Sequence, residues 1–271
     1  MAQLADKYEA LLVRQQGQRL YVTLNRPESK NSLNPTLIGE LKSVFEALAD
    51  RRDIKMVILR GAGGVFCAGA DLKNMALDSG PVLQSGKDPI AVWNRNFGAF
   101  LEKVTNAPQV IVAAIEGYAL AGGFGLACSS DVAICTEDAT FAMTEVALGL
   151  VPAQIAPFVA MRIGVAQTRH LTLTAARFKG AEAVRLGIGH YLVKDSAALD
   201  AKIEEVCKQI DRCAPLALAL TKQVVLAAQN MPLSDVLDFA ADRFAEARRG
   251  PEAPEGLKAF AEKRPPKWAV G

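Results

Sequence analysis

The chain has 271 residues, 51% of them hydrophobic, with 31 basic and 29 acidic side chains and a net charge of +2. That size suits one large domain, or a domain with an appendage, around a sizeable core. The balanced charge gives no electrostatic basis for binding nucleic acid or a membrane surface. The five cysteines (Cys67, Cys128, Cys135, Cys207, Cys213) lack zinc-site spacing and read as packed, reduced thiols. Asp6, Lys7 and Glu9 precede any apolar run, which argues against a signal peptide. Glu116, Gly122, Gly123 and Asp131 interrupt the apolar stretch around residue 115, so it does not read as a membrane span. The expectation is a soluble, cytoplasmic protein.

Tyr8 to Val13 and Leu20 to Leu24 read as strands around the turn Gln16-Gly17-Gln18, a hairpin ended by Asn25-Arg26-Pro27. Asn34-Pro35 predicts a helix start, with Asn34 as cap and Leu37, Leu41, Val44, Phe45 and Leu48 on the buried face. Lys55 to Arg60 is the next strand and leads into the glycine-rich run from Gly61 to Leu72. The polar stretch Asp78 to Asp88, punctuated by Gly80, Pro81 and Gly86, reads as a mobile loop. Ile90 to Val104 reads as a helix.

The stretch from Pro108 to Pro152 organises the chain. Val110 to Ile115 is an apolar run of strand length, Gly117, Gly122, Gly123 and Gly125 follow, and Val132 to Cys135 is a second short strand. The unit reads strand, glycine turn, helix, strand, and the N-terminal β, β, α order recurs around Gly117 to Asp138, too weakly for periodicity to establish a repeat. Taken alone, it reads first as a buried βαβ crossover whose glycines permit packing. Its second reading is a turn whose free N–H groups stabilise an oxygen that gains negative charge. Glu145 is the one acid between Ala139 and Pro152. Further on, Val159 to Thr174 and Gly180 to Gly187 read as helices and Gly187 to Val193 as the last strand. Leu199 to Cys213, Pro215 to Asn230 and Leu233 to Arg249 are helical, and the tail from Glu255 begins as a helix. The division is an α/β core over residues 1–195 and a helical region over 196–271.

Familiar chemistries are absent from the pattern. Gly61-x-Gly63 follows a strand, but Phe66 stands where a dinucleotide fingerprint needs its third glycine. No Gly-x-Ser-x-Gly occurs, and His170 and His190 read as structural. No His, Cys and Asp cluster has metal spacing. What remains is two glycine-rich turns, around Ala68 and Gly122, and the carboxylate of Glu145. Two N–H groups from separate turns and one proton-moving carboxylate suit chemistry through a thioester enolate.

Several ordered motifs resemble the crotonase family, the enoyl-CoA hydratases and isomerases. They are Asn25-Arg26-Pro27 with Asn31, Phe66-Cys-Ala-Gly-Ala-Asp71-Leu72, Gly117-Tyr-Ala-Leu-Ala-Gly122-Gly123, Glu145 with Leu148-Gly149 and Pro152, and Ala259-Phe260-Ala-Glu262-Lys263-Arg264. The resemblance implies a spiral of ββα repeats, a helical C-terminal trimerisation region, and a homotrimer or dimer of trimers. It implies an acyl-CoA substrate and no separate cofactor or metal. By that likeness the N–H groups of Ala68 and Gly122 form an oxyanion hole, and Glu145 is the catalytic acid/base. Ala68, Gly69, Ala70, Asp71 and Leu72 would line the CoA, and Phe260 and Lys263 would reach it, in many members from a neighbouring subunit.

Hydratases of the family usually carry a second glutamate at the position of Gly125, and a glycine-rich run where this chain has Ala153-Gln-Ile-Ala-Pro157-Phe158. Isomerases often work with the later glutamate alone. Gly122 to Ile134 and Leu148 to Val159 nevertheless resemble the isohexenylglutaconyl-CoA hydratases of acyclic terpene breakdown. The expected activity is hydration of a branched enoyl-CoA, with Δ3-Δ2 isomerisation as the alternative and non-catalytic acyl-CoA or macromolecule binding as the third.

Overall fold

The computed structural model describes residues 3–71, 86 and 88–269. Leu72 and all of the Asp78 to Asp88 stretch except residues 86 and 88 lie outside the described residues.

Strands β1 (Leu11–Gln16) and β2 (Arg19–Leu24) form the expected hairpin, closed by a two-residue turn in which Gly17 has φ +57°. Helix α1 (Pro35–Leu48) begins where its cap predicts: Asn34 Oδ1 accepts from Leu37 N at 2.9 Å and proline takes the first position. After β3 (Met56–Gly61) come α2 (Pro89–Thr105), β4 (Val110–Ile115), β5 (Tyr118–Leu120), α3 (Gly122–Cys128), β6 (Val132–Thr136) and β7 (Thr140–Ala142). Then follow α4 (Ala156–Thr174), β8 (Phe178–Lys179), α5 (Gly180–Arg185), β9 (Tyr191–Val193), α6 (Ser196–Asp211), α7 (Pro215–Ala227), α8 (Leu233–Arg249) and α9 (Glu252–Ala261).

The main sheet has strand order β1-β2-β3-β4-β6-β9 and is parallel throughout except for β1. Its side chains alternate between two faces. Val57, Leu59, Ile111, Ala113 and Ala133 pack in one cluster with Leu37, Leu41 and Phe45 of α1 and Phe100 and Leu101 of α2. Met56, Ile58, Val112, Ala114 and Ile134 pack in the other with Leu199, Ile203, Val206 and Ile210 of α6. Thus α6, although it follows the last strand, is a layer of the sheet. The end of the strands at residue 193 does not coincide with the end of the packed core.

A second sheet, β5-β7-β8, was not foreseen. Strands of two or three residues are too short to show a period. Phe124, Phe141 and Phe178 join it to α3, with ring centroids 5.7 to 6.0 Å apart. The C-terminal helices are tied down by polar contacts: Glu252 accepts from Leu216 N at 2.8 Å, and Lys222 pairs with Asp131 at 2.5 Å. Among the described residues no helix is long and apolar enough to cross a membrane.

Candidate active site

Strands β3 and β4 are parallel neighbours, so the chain leaves both at the same edge of the sheet. The two exits are laced together: Phe66 N donates to Glu116 O at 2.8 Å, Cys67 N to Tyr118 O at 2.7 Å, and Leu120 N to Cys67 O at 3.0 Å. Asn31 fastens the first exit from behind. Its fully buried amide accepts from Arg26 N at 2.9 Å and donates to Ala62 O at 2.9 Å and Val65 O at 2.6 Å. That is the physical reason for the Asn-Arg-Pro and Asn motif at the N-terminus.

The two glycine turns touch. Gly69 has φ +93°, and a Cβ on it would stand 2.8 Å from Ala121 Cβ and 3.0 Å from Leu120 O. Ala121 itself has φ +47° and ψ −118°, a conformation that a residue with a Cβ rarely adopts. This strained residue turns the chain into α3. Among the described residues the N–H groups of Gly122 and Gly123 have no acceptor.

The Ala68 N–H, expected as the partner donor, is differently placed: it donates to Lys30 O at 3.0 Å. Lys30 and Asn31 both have φ +55°, which aims that carbonyl at Ala68. Gly69 to Asp71 runs beside Leu33, with Leu33 N donating to Gly69 O at 2.7 Å and Asp71 N to Leu33 O at 3.0 Å. The Asp71 carboxylate pairs with Arg26 at 3.0 Å, so it holds this segment in place.

Glu145 opens the short 3-10 turn Glu145–Leu148. Burial pushes its carboxyl above the ordinary carboxylate value, only partly offset by its own backbone N–H. Its Oε2 is buried and has no hydrogen-bond partner. Among the described residues Glu145 also has no ion-pair partner. Glu116, the other acid near the turns, is committed elsewhere. It pairs with Arg60 at 2.8 Å and accepts from Ser196 Oγ.

At the Gly125 position no second carboxylate would fit without rearrangement. A Cβ on Gly125 would lie 2.5 Å from Ile155 Cγ2, 2.9 Å from Ile155 Cβ and 3.4 Å from Leu101 Cδ1. Among the described residues no hydrogen bond or ion pair joins Phe260 or Lys263 to the turns. Phe260 is 85% exposed on α9, and Gly256 of that helix lies against Trp268. Trp268 O accepts from Lys55 Nζ at 2.5 Å, at the start of β3, whereas the turns leave its end. His190 is structural, its Nδ1 accepting from Ala133 N at 3.0 Å. Among the described residues no three His, Cys, Asp or Glu side chains converge as metal ligands.

Known proteins resemble this chain along nearly their whole length. The structure of Pseudomonas aeruginosa AtuE is 48% identical and superposes with a TM-score of 0.91, over 97% of this chain and 100% of that one. An enoyl-CoA hydratase/isomerase from Marinobacter aquaeolei is 40% identical with a TM-score of 0.91, covering 96% and 99% of the two chains. Among curated proteins, a putative enoyl-CoA hydratase of Thermus thermophilus is 31% identical over 94% of this chain and 98% of its own length. A carnitinyl-CoA dehydratase of Proteus mirabilis is 32% identical over 96% and 98%. Residues 14–270 match the family described as enoyl-CoA hydratase/isomerase. With glycine turns laced at the ends of β3 and β4 and a buried carboxylate after β7, the chain belongs to the enoyl-CoA hydratase/isomerase family, the crotonases.

Proposed function

We propose that the protein hydrates a branched 2-enoyl-CoA of the isohexenylglutaconyl type, with Glu145 as its single acid/base. The observation that carries this reading is the buried, partnerless Oε2 of Glu145, in a chain whose Gly122 N–H is also unengaged. The thioester oxygen is held by the Gly122 N–H, joined by the Ala68 N–H sharing its proton with Lys30 O in a three-centre bond. Glu145 takes a proton from water as the hydroxyl adds to C3, and electron density moves onto the thioester oxygen as an enolate. When the enolate collapses, Glu145 returns the proton to C2, so that one water is added in all. The carboxyl's raised pKa suits that second step, because a less acidic group is the better-matched proton carrier near neutral pH.

The substrate class rests on the likeness of Gly122 to Ile134 and Leu148 to Val159 to isohexenylglutaconyl-CoA hydratases. Ala68 to Leu72 line the CoA, which is part of the substrate, and no separate cofactor takes part. Residues 1–195 form the catalytic core and 196–271 an assembly region in this reading. The subunits associate as a trimer or a dimer of trimers, supported by Leu233, Leu237 and Phe244, exposed on one face of α8. Phe260 and Lys263 then reach the CoA of a neighbouring subunit.

Isomerisation is the second reading, favoured by Ile155 standing over Gly125 in place of a water-holding carboxylate. Mass spectrometry of products from a panel of enoyl-CoAs, including glutaconyl-type thioesters, separates these readings. Hydration adds the mass of one water, isomerisation leaves mass unchanged but moves the double bond, and a binding protein converts none.

A further inference from the structure

Two amide side chains stand beside this site with no part in the reaction as written. Asn94 lies on α2 one turn before Phe97 and Gly98, and Gln154 directly precedes Ile155. Gln154 Nε2 donates to Asn94 Oδ1 at 2.9 Å. Each amide has two N–H donors and one carbonyl oxygen, so this bond leaves three N–H groups and one oxygen. Exchanging O and N in both amides together leaves that balance unchanged. Neither residue has a further side-chain partner among the described residues, and neither has a fully buried unpartnered atom, so both amides face accessible space.

The fold is shaped around this pair. Gly98 is buried, and a Cβ there would lie 2.0 Å from Gln154 Oε1, so α2 lacks a side chain where Gln154 crosses it. The same face of α2 carries Phe97 and Leu101, which stand 3.1 and 3.4 Å from the Cβ positions of Gly122 and Gly125. Ile155 completes an apolar wall from the first turn of α3 to the amides. Arg95 Nη1 lies 3.3 Å from the same point over Gly98, and its Nη2 is held by Glu102 at 2.9 and 3.0 Å. The patch thus offers an excess of donors beside the partly buried Phe97, with Leu101 and Ile155 packed in the core behind it.

We propose that Asn94 and Gln154 are specificity-determining residues that receive a carboxylate on the acyl chain, remote from the thioester. The inference rests on the proposed acyl-CoA substrate and identifies which residues select it. A carboxylate can take several N–H donors at once, and an aliphatic chain would leave those donors desolvated and unpaired.

The test compares two 2-enoyl-CoA thioesters of equal chain length, one ending in a methyl group and one in a carboxylate. Wild type should favour the carboxylate-bearing thioester in kcat/KM by about tenfold or more, the effect of one charge-assisted hydrogen bond. Gln154→Met, which keeps the length of the side chain, should lower that ratio several-fold. Gln154→Glu should reverse it through like-charge repulsion, and Asn94→Leu gives an independent second variant. A wild-type preference for the methyl-ended thioester, or a ratio that Gln154→Met and Asn94→Leu leave unchanged, overturns the proposal. If wild type converts neither thioester, the hydratase reading fails separately. The same ratio is then read from their dissociation constants by calorimetry, with the same expected and overturning results.

Discussion

Ile155 occupies the space that any side chain at position 125 would need, its Cγ2 2.5 Å from the place of a Cβ on Gly125. Two departures from the family pattern, a glycine on α3 and an isoleucine ten residues after Glu145, are therefore one structural change. Gly125→Glu alone should destabilise the protein by roughly 1–3 kcal/mol, the usual cost of overpacking. Gly125→Glu combined with Ile155→Gly should recover part of that loss relative to the sum of the single changes. A denaturant double-mutant cycle measures this, and additive effects would show that the two positions do not compete for one space.

Glu145 links activity and stability with opposite signs. Its carboxyl is raised by burial, so the folded state binds the proton more tightly than the unfolded chain. Its contribution to stability is then most favourable below the ordinary carboxylate value and is lost as pH rises through the folded value. Glu145→Gln removes the buried charge: the variant should melt higher than wild type near neutral pH, with the advantage fading on acidification. Turnover should fall by about 10²–10⁴-fold while acyl-CoA affinity stays near wild type. Melting curves across pH and steady-state kinetics check both halves, and near-normal turnover by Glu145→Gln would remove it as the acid/base.

Much of this fold was legible because periods and caps are local signals. The cap at Asn34 placed α1 to the residue, and the apolar run Val110 to Ile115 is β4 as read. The second sheet was hidden because its strands are two or three residues long and are defined by partners distant in sequence. The packing of α6 on the sheet was hidden for a related reason: helical spacing in Leu199 to Ile210 shows that a face is buried, not what covers it. At the site, Gly122 and Glu145 stood out as types, whereas the engagement of Ala68 N–H by Lys30 O depends on left-handed backbone at Lys30, which its residue type does not announce. Glu116, which the sequence marks only as a break in the apolar stretch around residue 115, is disclosed by its Arg60 partner as a structural ion pair.

That assignment gives a separate prediction. Glu116→Gln weakens a buried pair and leaves Arg60 with Asp200 as its remaining carboxylate. It should lower thermal stability, because the half-buried Arg60 loses the better shielded of its two carboxylate partners. Turnover per folded molecule should stay within a few-fold of wild type. A loss on the scale of Glu145→Gln, with stability retained, would make Glu116 a catalytic candidate.

The contact between the glycine turns predicts opposite effects from two small substitutions. Gly69→Ala forces a Cβ into φ +93° and to within 3.0 Å of the backbone oxygen of Leu120. It should cost about 1–3 kcal/mol of stability and lower turnover, since Leu120 sits two residues before the Gly122 donor. Ala121→Gly relieves φ +47° and removes the methyl that faces Gly69. At an unstrained helical or strand site Ala→Gly is destabilising by roughly 0.5–1 kcal/mol. Here the melting temperature should be unchanged or higher, and a drop of the ordinary size would show that Ala121 is not strained.

Leu233, Leu237 and Phe244 are 73%, 61% and 73% exposed on α8, and their spacing puts them within about 40° of one another around the helix. A stripe of that kind is costly to leave in water and is what the proposed association would cover. Phe244→Glu places a charge in it and should reduce the sedimentation mass toward that of one subunit. Gly256 of α9 lies against Trp268, whose carbonyl is held by Lys55 at the far end of β3, so in the proposed assembly Phe260 and Lys263 serve a neighbouring subunit's glycine turns. The dissociated variant should therefore bind acyl-CoA about tenfold or more weakly, the consequence of losing on the order of 1.4 kcal/mol of contacts. A wild type that sediments as one subunit at micromolar concentration, or a dissociated variant with full affinity, would show that each site is built within a single chain.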